Sequence, residues 1–327
     1  MTYLNRVDSF IARYMPCFVL FVVFLGIVFP NTFSPLNSIT VPLFFCTTFA
    51  NSLGGGFRDL FQVFRHPLPV ILVLLVLHII MPLTALGLGN LLFPDAPLFT
   101  IGLVLEYCVP VGVATLMWSG IALGNVPLCL SLVLLDTLCT PFILPLTMEV
   151  LVGSQVEMDP FGMMRDLLVM IAIPAIIAMI CYDATKGRVA RTLKPRLAPF
   201  SKVGVLMIIC ANATGCSSFL RDLTPTLVKV MIVVFALCLL GFFLGYWAGR
   251  LFRRDYPTVE TMAITSGMRN ISAGAVLAEA YFPPDVLFPV AFSPIFLQVT
   301  TALIVKVMHH TKPGKAYFSS LEADRHT

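Results

Sequence analysis

Arg269 stands in TSGMRN, residues 265 to 270, near the middle of an apolar run from Tyr256 to Phe282 that is long enough to cross a bilayer. A guanidinium at that depth costs about 2.5 to 3.5 kcal/mol on insertion scales, so charges there generally mark ion or substrate paths. Three more ionisable residues lie inside apolar runs: Asp136 in LVLLDTLCTPF, His78 in HIIMPLTA, and Glu106, about one turn before Pro110. Asp136 follows Cys129 by seven residues and Val133 by three, which puts all three on one helical face. A carboxylate can hold a proton or a cation. An imidazole ordinarily changes charge near neutral pH. Asn270 can donate to a carboxylate or brace a helix end. Glu149 and Glu279 fall near the ends of runs, where interfacial solvation accounts for them.

These groups are carried by a membrane chain. Of 327 residues 58% are hydrophobic and 12% charged, against about 25% charged in soluble domains. The net charge of +4 sits in loops between apolar runs, so no nucleic-acid partner is expected, and the bilayer is the surrounding phase. Nine cysteines, none in a CxxC pair, lie in or beside those runs and read as small packing residues. There is no HExxH, no GxSxG and no cluster of histidines, which leaves an enzyme without a constellation and the chain without a metal or cofactor.

Apolar runs predict ten spans, at 12–29, 37–53, 68–92, 99–122, 125–149, 165–183, 201–220, 226–249, 257–282 and 286–308. The first ends at Pro30 without a small-residue cleavage pattern and reads as a retained span. Seventeen Lys and Arg fall on the side shared by both termini, against three (Arg165, Arg221 and Lys229) on the other. By the positive-inside rule both termini are cytoplasmic, and the expected setting is the inner (cytoplasmic) membrane of a prokaryote or an equivalent organelle. Residues 1–155 and 156–311 each hold five spans, followed by a cytoplasmic tail, 312–327. A repeat of five inserts its second copy upside down, the inverted arrangement of secondary transporters. Pro110 and Gly112 interrupt the fourth span and Gly267 the ninth, and such paired breaks point to a binding site at mid-membrane.

At these residues the chain resembles the bile acid:sodium symporter family. SGMRN is similar to that family's E-V-G-M-Q-N stretch, and PVGVATLMWSGIALGNV (Pro110 to Val126) to its fourth-span P-G-G-T-A-S-N segment followed by G-N-V. FRDLFQVFRHP (Phe57 to Pro67) resembles the basic loop after its second span, and HIIMPLTA (His78 to Ala85) its third-span Q-F-x-x-M-P pattern. The resemblance implies an all-α fold in which a core of spans 3–5 and 8–10 moves against a panel of spans 1, 2, 6 and 7, with broken spans 4 and 9 crossing. It also implies carriage of organic anions by alternating access, coupled to sodium.

Carried over position by position, the family's sodium ligands fall on residues that do not suit sodium. Its fourth-span Ser and Asn fall on Thr115 and Leu116, its fifth-span Ser and Thr on Cys129 and Val133, and its third-span Gln on His78. Its ninth-span Glu falls on Thr265 and its Gln on Arg269. Sodium takes hard oxygen donors, which Leu, Val and Cys do not provide. Arg269 would put a fixed positive charge near the position of a sodium ion in the relatives, with Asp136 as its partner. The expectation is a secondary transporter of small organic anions, sodium-independent and coupled to protons through Asp136, His78 and Glu106. Arg269, Asn270, Val113, Ala114 and Thr115 are its candidate substrate contacts. The alternatives are a sodium symporter with a degenerate site, or a sensor or channel on the same fold. An arsenite exporter would carry Cys where Val111 stands. No protein partner is expected.

Overall fold

The computed structural model describes residues 7, 8, 10–12, 14–61, 67–112, 114–217, 219 and 223–326. Arg6, Arg13, Arg65, Arg221 and Val113 lie outside the described residues. The chain is helical because hydrocarbon leaves backbone N–H and C=O groups no partners but one another. In order come α1 (Met15–Val28), α2 (Thr40–Ser52), α3 (Pro67–Leu92), α4 (Pro97–Cys108), α5 (Ala114–Ile121), α6 (Val126–Val152) and α7 (Pro160–Ala184). They are followed by α8 (Lys194–Thr214), α9 (Pro225–Leu251), α10 (Tyr256–Gly267), α11 (Ile271–Tyr281), α12 (Pro284–His310) and α13 (Lys312–His326).

Among the described residues six helices, α3, α6, α7, α8, α9 and α12, are long and apolar enough to cross a membrane. The pair Cys17–Val28 and Pro30–Ser52, bent by 106°, makes up to seven. Ten were expected, and the difference lies at identifiable places. The fourth apolar run is divided into α4 and α5 and the ninth into α10 and α11, while the first two are joined through the bend that begins at Pro30. Lys312–His326, the expected tail, is helical, and Tyr317 and Phe318 pack their rings on Tyr256 and His309.

Proline shapes the helices that continue through. The five residues Val76–Ile80 of α3 form a π-helical turn just before Met81-Pro82, with the Met81 N–H bonded to the Val76 carbonyl five residues back. Leu168–Ala172 repeats this before Pro174 in α7. A proline ring lacks the N–H and crowds the carbonyl four residues earlier, so the chain widens by one residue. His78 is carried on the first of these turns.

Helix α8 packs on α1 and α2, and α2 also on α7. A second group joins α3 to α4, α4 to α12, α9 to α10 and α6 to α10. The two groups meet where α6 touches α7 and where α8 touches α11. The contact of α9 with α10 runs along Gly241, Gly245 and Gly249, four residues apart. A Cβ at Gly241 would stand 2.9 Å from the Ser266 carbonyl, and one at Gly245 would run into the Met262 carbonyl. Small residues at this spacing let membrane helices pack backbone to backbone.

Candidate functional site

The two interruptions meet. After Cys108 the chain turns extended at Val109, and after Gly267 it turns extended at Met268. Val111 and Arg269 then form an isolated antiparallel bridge, with the Gly112 N–H donating to Met268 O at 3.3 Å and the Asn270 N–H to Pro110 O at 2.7 Å. Gly112 is required here, because a Cβ would stand 2.8 Å from the Arg269 carbonyl. The restarting helices are capped locally: Asn270 Oδ1 accepts from the Ala273 N–H at 3.4 Å, and Thr115 Oγ1 donates to Gly112 O at 2.5 Å. Polar backbone groups that would be orphaned inside the membrane are thereby paired.

Arg269 is 4% exposed. Its Nε and Nη2 have no hydrogen-bond partner among the described residues, and its guanidinium carbon lies 5.7 Å from the centre of the Tyr107 ring. It borders a cavity of about 110 Å³ between the two helix groups. One wall is α1, α2 and α8, including Thr48 and Asn51; the other is the crossing, with Gly112, Ala114, Asn270 and Ser272, together with Gln298 of α12. The Trp118 indole N–H donates to Gln298 Oε1 at 3.0 Å, which fixes the orientation of that amide. The arrangement is a buried cation with no ion pair within 4 Å among the described residues, beside a small, largely apolar chamber with neutral hydrogen-bonding groups on its rim. Such a chamber suits an anion.

Of the candidate substrate contacts, Arg269, Asn270 and Ala114 border this cavity, and Val113 lies outside the described residues. Thr115 is fully buried, its hydroxyl turned back on Gly112.

Asp136 lies close enough for its charge to act on Arg269, but its direct contacts are with other groups. Asp136 Oδ1 instead meets His78 Nε2 at 2.7 Å, and Oδ2 accepts the Val111 N–H at 2.5 Å. With the carboxylate ionised, Nε2 must carry the proton. Two contacts satisfy the two oxygens of a carboxylate that is 1% exposed, and the π turn in α3 helps present the imidazole. The Asp136 carboxylate therefore touches the crossing at the main-chain N–H of Val111, the residue that bridges to Arg269. Glu106 is 1% exposed and accepts from the Ser293 hydroxyl of α12 on Oε1, which sets it against α12 and not among the residues lining the cavity.

The remaining positions onto which the resemblance carries sodium ligands gather around Cys129, whose thiol meets the hydroxyls of Ser119 and Thr265 and which otherwise packs among apolar side chains. Cys129 and Val133 belong to one cluster with Leu77, Val111, Leu132 and Met262, and Leu116 packs against it. Thr265 is fully buried and donates to the Thr261 carbonyl at 2.6 Å, one turn back.

The family model described as the sodium bile acid symporter family matches residues 41–222. The chain belongs to this family. Among its relatives is an uncharacterised protein, YbaS, of Bacillus subtilis (strain 168), 38% identical over 80% of this chain and 85% of that one. An uncharacterised sodium-dependent transporter of the same organism, YocS, is 25% identical over 93% of each chain. The human hepatic sodium/bile acid cotransporter is 22% identical over 67% of this chain and 63% of its own length. Symporter-family membership makes the chain a multi-pass membrane transporter, not an enzyme.

Sequence reasoning passed over Thr48, Asn51, Ser272 and Gln298, which border the cavity. A polar side chain well inside an apolar run is the signal that marked Arg269, and applied to amides it would have marked Gln298. The buried contact of Glu260 with His309, at 3.2 Å, was missed as well.

Proposed function

We propose that this chain is a secondary transporter of small organic monoanions, working by alternating access without sodium, with Arg269 as the fixed cation of its binding site. One observation carries the reading. A buried guanidinium without a hydrogen-bond partner among the described residues borders a chamber between two helix groups, at the crossing of two broken helices. The cost of a lone charge at that depth is recovered when an anion arrives. The size of about 110 Å³ favours a compact carboxylate over a steroid-sized one. Leu116, Cys129 and Val133 offer no hard oxygen donor, and the hydroxyls of Ser119 and Thr265 beside Cys129 are neutral, which argues against a tightly held cation there.

The ten-span inverted repeat belongs to the same reading. A broken span followed by a 27-residue helix with two internal prolines recurs, as α4, α5, α6 and as α10, α11, α12. The first half of each broken span packs on the long helix of the other set, α4 on α12 and α10 on α6. The loop-charge bias puts both termini in the cytoplasm, so a membrane-impermeant thiol reagent should reach a cysteine placed at Lys312 only from inside. The proton-carrying group is the His78–Asp136 pair, one hydrogen bond from the crossing. Protonating the pair removes a negative charge near the site, so a proton and an anion favour each other's binding, as linkage requires.

The test is a thermal-shift and vesicle-uptake screen of small carboxylates in sodium and in choline at constant ionic strength. A stabilising ligand raises the unfolding temperature as RT ln(1 + [L]/Kd). Equal shifts and uptake in both salts are expected for at least one monoanion. A saturable sodium requirement would overturn the sodium-free reading and leave the family's usual coupling in place.

A further inference from the structure

A second apolar space, of about 510 Å³, lies away from the crossing between α9 and α12. Its walls are Ala236, Leu239, Leu240, Phe243, Tyr246 and Trp247 on one side and Ile304, Val307, Met308 and Thr311 on the other. Phe243, Trp247, Leu303 and Val307 are exposed there, so the groove opens outward, toward the bilayer. One end is marked by Tyr246 and Trp247, the residue types that settle at the headgroup level. Just past that end the charge is almost all positive: Arg250 lies one turn beyond Tyr246, Arg253 and Arg254 follow, and Lys306, Lys312 and Lys315 come from the other side. Asp255 is the acidic residue of the connecting loop, while Glu260 is buried against His309. Beyond this end α10 and α13 meet, with the Tyr256 and Tyr317 rings 5.3 Å apart.

We propose that this groove holds an acyl chain of an anionic phospholipid, with its phosphate on the basic rim at Arg250. An apolar slot that ends in an aromatic pair and then in cations matches, in order, the chain, glycerol and phosphate of such a lipid. The basic loops also lie on the side where anionic lipids concentrate, and each Lys or Arg at that surface contributes about 1 kcal/mol of attraction, roughly fivefold in affinity.

Native mass spectrometry of the detergent-purified chain, titrated with phosphatidylglycerol and with phosphatidylcholine of the same acyl chains, tests the proposal. Tighter retention of phosphatidylglycerol is expected. Arg250→Gln should weaken it about fivefold and leave phosphatidylcholine unchanged. Ala236 faces the groove and is exposed, so Ala236→Trp should block both lipids without disturbing the interior. Equal retention of the two lipids by the wild type, or no effect of either variant, would overturn the proposal. So would a second copy of the chain seated on this face, seen as a disulfide-linked dimer of Val307→Cys in a bilayer. None of these readouts depends on transport, so they stand or fall apart from the anion reading.

Discussion

Replacing Arg269 with glutamine separates a binding charge from a structural one. A carboxylate in a chamber of about 110 Å³ bordered by Arg269 would lie about 4 to 6 Å from the guanidinium. At an effective dielectric of about 20 the attraction there is about 3 to 4 kcal/mol. Its loss corresponds to a drop in affinity of about two to three decades. The ligand-free protein should respond in the opposite sense. Arg269 forms no salt bridge within 4 Å among the described residues, and its Nε and Nη2 have no hydrogen-bond partner. Glutamine removes a charge costing about 2.5 to 3.5 kcal/mol on insertion scales, offset in part by the charge of Asp136 and the Tyr107 ring, and the unfolding temperature should not fall. Isothermal titration of the best carboxylate from the screen, beside thermal unfolding without ligand, reads both quantities. Binding within threefold of wild type, together with a large fall in ligand-free stability, would refute the reasoning and make Arg269 a structural residue.

Asp136→Asn keeps the shape of the pair with His78 while removing its charge. Removing that negative charge beside the crossing should tighten anion binding at Arg269; unchanged affinity would exclude the pair as a charge acting on the site. Gly245→Val forces a side chain into the Met262 carbonyl, a clash of the kind that costs about 1 to 3 kcal/mol or more. Its unfolding temperature should fall well below that of Gly87→Val, where a Cβ meets nothing within 4 Å. Equal stability of the two would mean that α9 and α10 are not packed backbone to backbone.

What the sequence disclosed was local. A lone arginine in an apolar run needs no partner to be noticed, and Pro110, Gly112 and Gly267 mark where a helix cannot continue. Two such breaks are visible one at a time, and their meeting as the Val111–Arg269 bridge follows from the way their helices pack. The partner of Asp136 was not local. Helical spacing placed Asp136 on the face of Cys129 and Val133 but said nothing about what stood opposite, and charge alone pointed to Arg269. The π turn ahead of Pro82 belongs to the backbone of another helix, and it helps bring His78 to the carboxylate. The cavity wall was hidden for a different reason: Thr48 and Ser272 are small polar residues of ordinary kind, made notable only by the space they border.

The bridge at the crossing also bears on how such a protein can diverge. Its floor is held by main-chain atoms, Gly112 to Met268 and Asn270 to Pro110, which are present whatever side chains surround them. Residues around that floor can be exchanged, oxygen donors for Leu116, Cys129 and Val133 or an amide for Arg269, without unmaking the joint between the half-helices. Side chains around the site can then vary without loss of the joint, and Gly112, which admits no side chain, is the position where that freedom ends.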